Sequence, residues 1–155
     1  MSEVLSRMPL WHTFFSFSGR INRRRFFFSN LVVSFLLVVA AGVTEYLIKY
    51  GAARFAGQTG VVLALQVAVF AAIGVLILAS LALAAKRLHD MGHSALHLIW
   101  IYLLFAAAEV LRGFLPLPAM LLGLVAAAAQ LALYIARGED GPNAHGLPRI
   151  PSRAA

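Results

Sequence analysis

Cysteine is absent from this chain of 155 residues, and acidic residues number only six. The first absence removes disulfides, thiol catalysis and thiolate metal sites. The second leaves no cluster of carboxylates to complete a metal site with histidine. Charge of any kind is scarce: 12% of residues are charged and 61% hydrophobic, against roughly 25% and about 45–50% in soluble domains. That composition belongs to the membrane class. Chemical motifs are missing as well. There is no Gly-x-Ser-x-Gly elbow for a nucleophilic serine and no Gly-x-x-x-x-Gly-Lys-[Ser/Thr] phosphate loop.

What the chain does have is long apolar runs, with a mean hydropathy of +0.84. A membrane helix takes about 20 apolar residues, so four spans and their connections fill nearly the whole length. The expected fold is all-α, a multi-span transmembrane helical bundle with spans at about 26–48, 61–85, 95–111 and 115–136, forming one membrane domain over 26–136. The third span is the shortest and is expected to be tilted or less deeply set. Breaker-rich stretches separate the runs: 49–60 with Gly51, Gly57 and Gly60, and a second turn with Gly113, Pro116 and Pro118. Glu45 has Lys49 at i+4 as a local partner. Small residues such as Ala68, Ala72 and Ala79 permit close helix packing.

Two polar segments flank the bundle. Residues 1–25 form an amphipathic lead in which Trp11, Phe14, Phe15 and Phe17 alternate with His12, Thr13, Ser16 and Ser18 ahead of Arg20, Arg23, Arg24 and Arg25. Aromatic rings beside arginines favour the headgroup layer, so this segment is expected to lie on the membrane. Residues 137–155 form a tail too rich in Gly, Pro and Asn to be helical. The run from Asn22 to Phe27 resembles a twin-arginine export signal, but the apolar stretch after it is longer than a signal core.

Lysines and arginines set the orientation. Ten lie on one side (Arg7, Arg20, Arg23, Arg24, Arg25, Lys86, Arg87, Arg137, Arg149 and Arg153) and three on the other (Lys49, Arg54 and Arg112). Both termini and the turn at 86–94 are therefore expected in the cytoplasm. The net charge of +7 is accounted for by topology, and nucleic acid is not an expected partner.

The turn Lys86-Arg87-Leu88-His89-Asp90-Met91-Gly92-His93-Ser94 is the polar centre of the sequence. If the second span runs to about Asp90, its cations complement the helix dipole, whereas Asp90 sits where an anion is disfavoured. Asp90 then needs a cation, from Arg87 or from the arginines before the first span. Gly92 suits a left-handed helix stop, and Ser94 suits the N-cap of the third span. One reading makes this turn a structural fastener. The other makes Arg20, Arg23, Arg24 and Arg87, with His89 and Asn143, a site for an anionic headgroup or a partner's acidic segment, since the forked donors of arginine match phosphate.

Other chemistries find less support. His89, His93 and His97 are spaced i, i+4, i+8, but Gly92 and Ser94 are expected to break any helix between them, so neither a metal nor a cofactor is assigned. Asp90 beside His89 does not make a catalytic pair, and no catalytic residue is assigned. A transporter or channel would show ionisable groups at mid-membrane or broken spans in related halves. Glu45 and Glu109 lie near span ends, and Gln66 and Gln130 are neutral. Small-solute transport stands as the alternative function, and lipid-modifying catalysis as a third.

Three motifs, Phe17-Ser18-Gly19-Arg20-Ile21-Asn22-Arg23, the central turn, and Gly138-Glu139-Asp140-Gly141-Pro142-Asn143-Ala144-His145-Gly146, resemble in order and spacing the signatures of the bacterial inner-membrane proteins called domain of unknown function family 805. The resemblance implies a helical inner-membrane protein with these signatures on the cytoplasmic face. It carries over to Gly19, Arg20, Arg23, Arg87, Leu88, His89, Asp90, Gly92, Ser94, Gly141, Asn143 and Gly146. Lys86 stands where a second arginine is common, Ala95-Leu96 replaces Gly-Trp, His145 takes a position often aromatic, and Leu147-Pro148 lacks the usual acid before proline. The expectation is that the three motifs dock together, with Gly19, Asp90, Gly92, Ser94, Gly141 and Gly146 as fasteners and Asn143 hydrogen-bonding near Arg87 and Asp90. The expected role is non-enzymatic binding or accessory work; the expected partners are membrane lipids with anionic headgroups, a membrane protein or a second copy of the chain.

Overall fold

A computed structural model of the protein describes residues 10–55 and 58–146. Residues 1–9 of the lead with Arg7, Gly57 of the first connection, and 147–155 of the tail with Leu147, Pro148, Arg149 and Arg153 lie outside the described residues. The described chain is all-helical: α1 (Leu10–Phe15), α2 (Arg23–Arg54), α3 (Thr59–Asp90), α4 (His97–Leu111) and α5 (Pro116–Ile135).

Each apolar run becomes a helix, and two of the helices outgrow the run. Asn22 has extended backbone and its side chain accepts the Arg25 N–H at 2.9 Å, a cap that starts α2 ahead of its arginines. At the other end α2 continues through the stretch expected to break it. The backbone stays helical to Arg54, and the connection shrinks to residues near Phe55 and Gln58. A single glycine costs a helix only about 1 kcal/mol, which packing against a neighbouring helix overrides. Proline is stricter: Pro116 heads α5, where its missing N–H is no loss.

Helix α4 begins at His97, later than the expected residue 95. Ser94 is not its N-cap; the helix is preceded by tight turns in which Ser94 O accepts from His97 N at 3.1 Å and Ser94 Oγ from Leu96 N at 3.3 Å. The hydroxyl thus satisfies a donor in the approach to the helix rather than in its first turn.

The helices pair as two hairpins, α2 with α3 and α4 with α5, which meet mainly at one end. There Ile21, Phe26 and Val33 close on Ala79, Leu83, Ala84, Ala85 and Leu88 of α3, with Leu98 and Ile101 of α4 and Leu133 of α5. Ala79 lies in this core, whereas Ala68 and Ala72 are exposed. Elsewhere the surface is greasy: the most apolar 18-residue window of α3 contains no buried residue, and Leu63, Val67 and Phe70 are exposed. Such a surface is stable in hydrocarbon, not in water. Helices α2 (over Arg23–Gly51), α3 and α5 are long and apolar enough to cross a membrane, while α4 has 15 residues. The protein is membrane-embedded.

One polar link ties the hairpins inside the apolar region. Asn30 of α2, 7% exposed, donates through Nδ2 to the Tyr134 hydroxyl of α5 and accepts at Oδ1 from Ser80 Oγ of α3 at 3.2 Å. Side-chain hydrogen bonds between membrane helices contribute about 0.6 kcal/mol on average and up to about 1.7. Asn30→Ala, which breaks two at once, is expected to lower stability by about 1–2 kcal/mol in mixed-micelle unfolding. Wild-type stability would mean that the link contributes nothing.

Candidate functional site

Helix α3 ends as its sequence dictates. Gly92 takes φ +76; its N–H donates to His89 O at 3.2 Å, and the His93 N–H reaches back to Leu88 O at 2.9 Å. This paired closure needs a left-handed residue after the cap. Gly92 also has a tail residue against it, since a Cβ there would run into the Glu139 carboxylate.

That stop leaves Asp90 at the negative pole of α3, 8% exposed. Two arginines neutralise it from opposite sides. Arg20 Nε donates to Oδ1 at 3.2 Å, and Arg87 Nη1 donates to Oδ2. Arg20 is 2% exposed and Arg87 0%, so neither charge is open to water.

Their remaining donors go to backbone carbonyls. Arg20 Nη1 donates to Gly141 O at 2.7 Å and to Gly146 O at 3.3 Å, while Nη2 donates to Glu139 O and, at 3.4 Å, to Asp90 O. Arg87 Nε reaches Leu133 O at 2.9 Å, and its Nη2 reaches Ala136 O. Arg23 Nη1 takes Ile135 O at 3.2 Å. Helix α5 has no basic residue in its own last turn; its terminal carbonyls are capped by arginines from elsewhere in the chain. Lys86, 1% exposed, does the same for α1 by donating to His12 O and Thr13 O.

The tail over 138–146 is an ordered turn. Asn143 and Gly146 exchange backbone bonds of 3.2 and 3.0 Å, and Asn143 Oδ1 accepts from His145 N at 2.9 Å. Glu139 N donates to Asp90 O at 2.8 Å. Asn143 Nδ2 donates to His89 O at 2.9 Å and to Glu139 Oε2 at 2.7 Å, so its partner on α3 is the residue before Asp90 and not the Arg87–Asp90 pair itself. The His89 ring lies parallel to that of His145, centroids 4.0 Å apart and 8° between planes, and its Nδ1 is 3.2 Å from Gly19 O.

The structure therefore brings together Gly19, Arg20, Arg87, His89, Asp90, Gly92, Gly141, Asn143 and Gly146, with Arg23 at their edge. Ser94 stays with the approach to α4, and Arg24 is exposed, with no side-chain hydrogen bond among the described residues. The histidine row does not form, because α3 stops between its members: His89 turns to the tail while His93 and His97 face each other at 5.3 Å. Among the described residues no group of three His, Asp or Glu is placed to hold a metal. Sequence reasoning missed Gly138, whose Cβ would fall on the Asp90 carboxylate, and the carbonyls of α5. Gly138 carried a signal, being the first breaker after an apolar run. Backbone acceptors carry none.

Apolar helices bound at one end by buried arginines, a shared carboxylate and a folded tail define a helical membrane protein with a polar clamp. The chain belongs to the family described as protein of unknown function (DUF805), whose profile matches residues 14–147 and so takes in the whole clamp. No curated protein matches the chain, and no solved structure does.

Proposed function

We propose that the protein is a non-enzymatic binding or accessory component of the bacterial inner membrane, spanning it four times with both termini cytoplasmic, and that the clamp face holds anionic lipid headgroups. The observation that carries this reading is the head of α2. Three arginines occupy the first turn of a helix with no acid there, at the positive pole where cations are disfavoured. Arg23 is relieved by the Ile135 carbonyl, and Arg25 donates to Thr13 Oγ1 at 3.2 Å; neither partner carries a charge. A layer of lipid phosphates supplies the missing countercharge, worth about 1 kcal/mol per basic residue near the surface. Exposed Trp11, Phe15 and Phe17 beside these arginines fit the same layer.

Roles divide within the cluster. Arg20 and Arg87 spend their donors on Asp90 and on carbonyls, so they hold the fold. Arg23, Arg24 and Arg25 rim it and hold the ligand. Support for four crossings comes from chain direction: α4 starts a few residues from Asp90, and α5 returns its last carbonyls to Arg87, so α4 with its connections carries the chain away from the clamp and α5 brings it back. Native mass spectrometry from micelles of mixed phosphatidylglycerol and phosphatidylethanolamine tests the ligand. Replacing Arg24 and Arg25 by Gln together is expected to cut retained phosphatidylglycerol on the order of tenfold without unfolding the protein. Unchanged retention by the folded double variant overturns the lipid reading.

A further inference from the structure

The tail is held on α3 by one contact unlike the rest. Arginine and asparagine donate to carbonyls there, bonds indifferent to ordinary changes of pH. His89 and His145 instead meet face to face, 4.0 Å between centroids and nearly parallel. Neutral imidazoles stack comfortably, and one protonated ring still rests on the face of a neutral one. Two protonated rings place unit charges about 4 Å apart, a repulsion equivalent to roughly fivefold in an equilibrium even in water and more where the pair is part-buried.

We propose that the His89–His145 stack is an acid-sensitive latch, which keeps residues 138–146 docked at neutral pH and releases them when both rings are protonated. The latch rests on the reading that this end of the protein faces the cytoplasm, and it adds regulation to the clamp described there.

The neighbours of the stack favour such a switch. From the segment before α2, Arg20 holds Gly141 O and Gly146 O on either side of His145; from α2, Arg23 stands at the edge; from α3 come Arg87 and Asp90. The tail contributes Glu139, whose carboxylate takes Asn143 Nδ2 beside His89 O, while His93 of the turn after α3 faces His97 instead. Asp90 is already shared by two arginines, and Glu139 is engaged by Asn143, so neither is placed between the two rings. His89 Nδ1 faces Gly19 O, which fixes that ring, while the tail ring rests on the stack with no side-chain hydrogen bond of its own among the described residues. Release of the turn would uncover the carbonyl acceptors of Arg20 and open the clamp from its cytoplasmic side.

Because the chain has no cysteine, a nitroxide at Ala144→Cys, an exposed position in the tail turn, is the sole thiol label. Electron paramagnetic resonance of the full chain in phospholipid nanodiscs would follow the mobile fraction from pH 7.5 to 4.5, because burial, and then the neighbouring His145, lower the His89 pKa from its ordinary value. The wild-type background is expected to show a rise of at least about fivefold, reversible on neutralisation. In His145→Phe, which keeps a stacking ring and removes the proton site, the label is expected to stay immobile throughout. His145→Gln repeats the test with a planar uncharged amide.

A flat wild-type titration overturns the latch, and so does a pH response retained in both His145 variants. A label already mobile at pH 7.5 overturns it too, since nothing would then be docked to release. Loss of lipid preference in the mass-spectrometry experiment would leave these readings unchanged, so the two proposals fail separately.

Discussion

Asp90→Asn is expected to destabilise the protein by about 3–5 kcal/mol, the cost of stranding buried charge when one partner of an ion pair is removed. The carboxylate is the shared acceptor of Arg20 and Arg87, which are 2% and 0% exposed. Asparagine keeps the shape but carries an amide that would point N–H donors at a guanidinium, leaving two like charges without a counterion. The surface pair Glu45–Lys49, 2.5 Å apart with both side chains more than half exposed, is the contrast: Glu45→Gln should cost less than about 1 kcal/mol. Thermal unfolding in detergent, followed by tryptophan fluorescence, separates the two. An Asp90→Asn protein that unfolds alongside Glu45→Gln would show that the clamp is not what holds the hairpins together.

The second large effect needs no change of charge. Gly138→Ala is expected to undock the tail, at a cost of about 1–3 kcal/mol typical of overpacking, because the added Cβ would lie 2.7 Å from Asp90 Cγ and 3.0 Å from Asp90 O. A flexible side chain could step aside. Asp90 cannot, since both of its oxygens are held and its carbonyl accepts the Glu139 N–H. Gly141→Ala is the control: three residues along the same tail, a Cβ there meets nothing within 4 Å, and stability should stay near wild type. Hydrogen exchange over 139–146 reads docking directly. Equal protection in the two variants would mean that the tail is positioned by something other than its approach to Asp90.

The fold was legible because lipid enforces simple rules. Apolar runs announced the helices, and Gly92 announced the stop after Asp90 through the left-handed conformation that glycine tolerates. Helix ends were harder. The glycines of 49–60 read as a break, yet α2 runs to Arg54, because isolated glycines weaken a helix by less than packing restores. The clamp was half legible: Asp90 at a helix C-terminus demanded cations, and Arg87 and Arg20 supply them. What could not be read was the destination of the other donors. Leu133 O, Ala136 O and Glu139 O belong to residues whose side chains are irrelevant to the bond, so no residue type in the sequence marks them. The Asn30–Ser80–Tyr134 link was invisible for a related reason, since its three members are spread over three helices and each is unremarkable alone.

The capping of α5 and of the tail turn by arginines from earlier in the chain has a consequence for how the protein is made. Arg20 meets its carbonyl partners in the tail 119 to 126 residues downstream, and Arg87 meets its own 46 and 49 residues on. While the ribosome is still translating the later helices, those acceptors do not exist. Asp90 is then the one internal counterweight for both guanidiniums, and it can serve as soon as α3 emerges, before the rest of the site is synthesised. The carboxylate is therefore a placeholder during insertion as well as a bond in the finished protein, and its loss should be felt first as poor biogenesis.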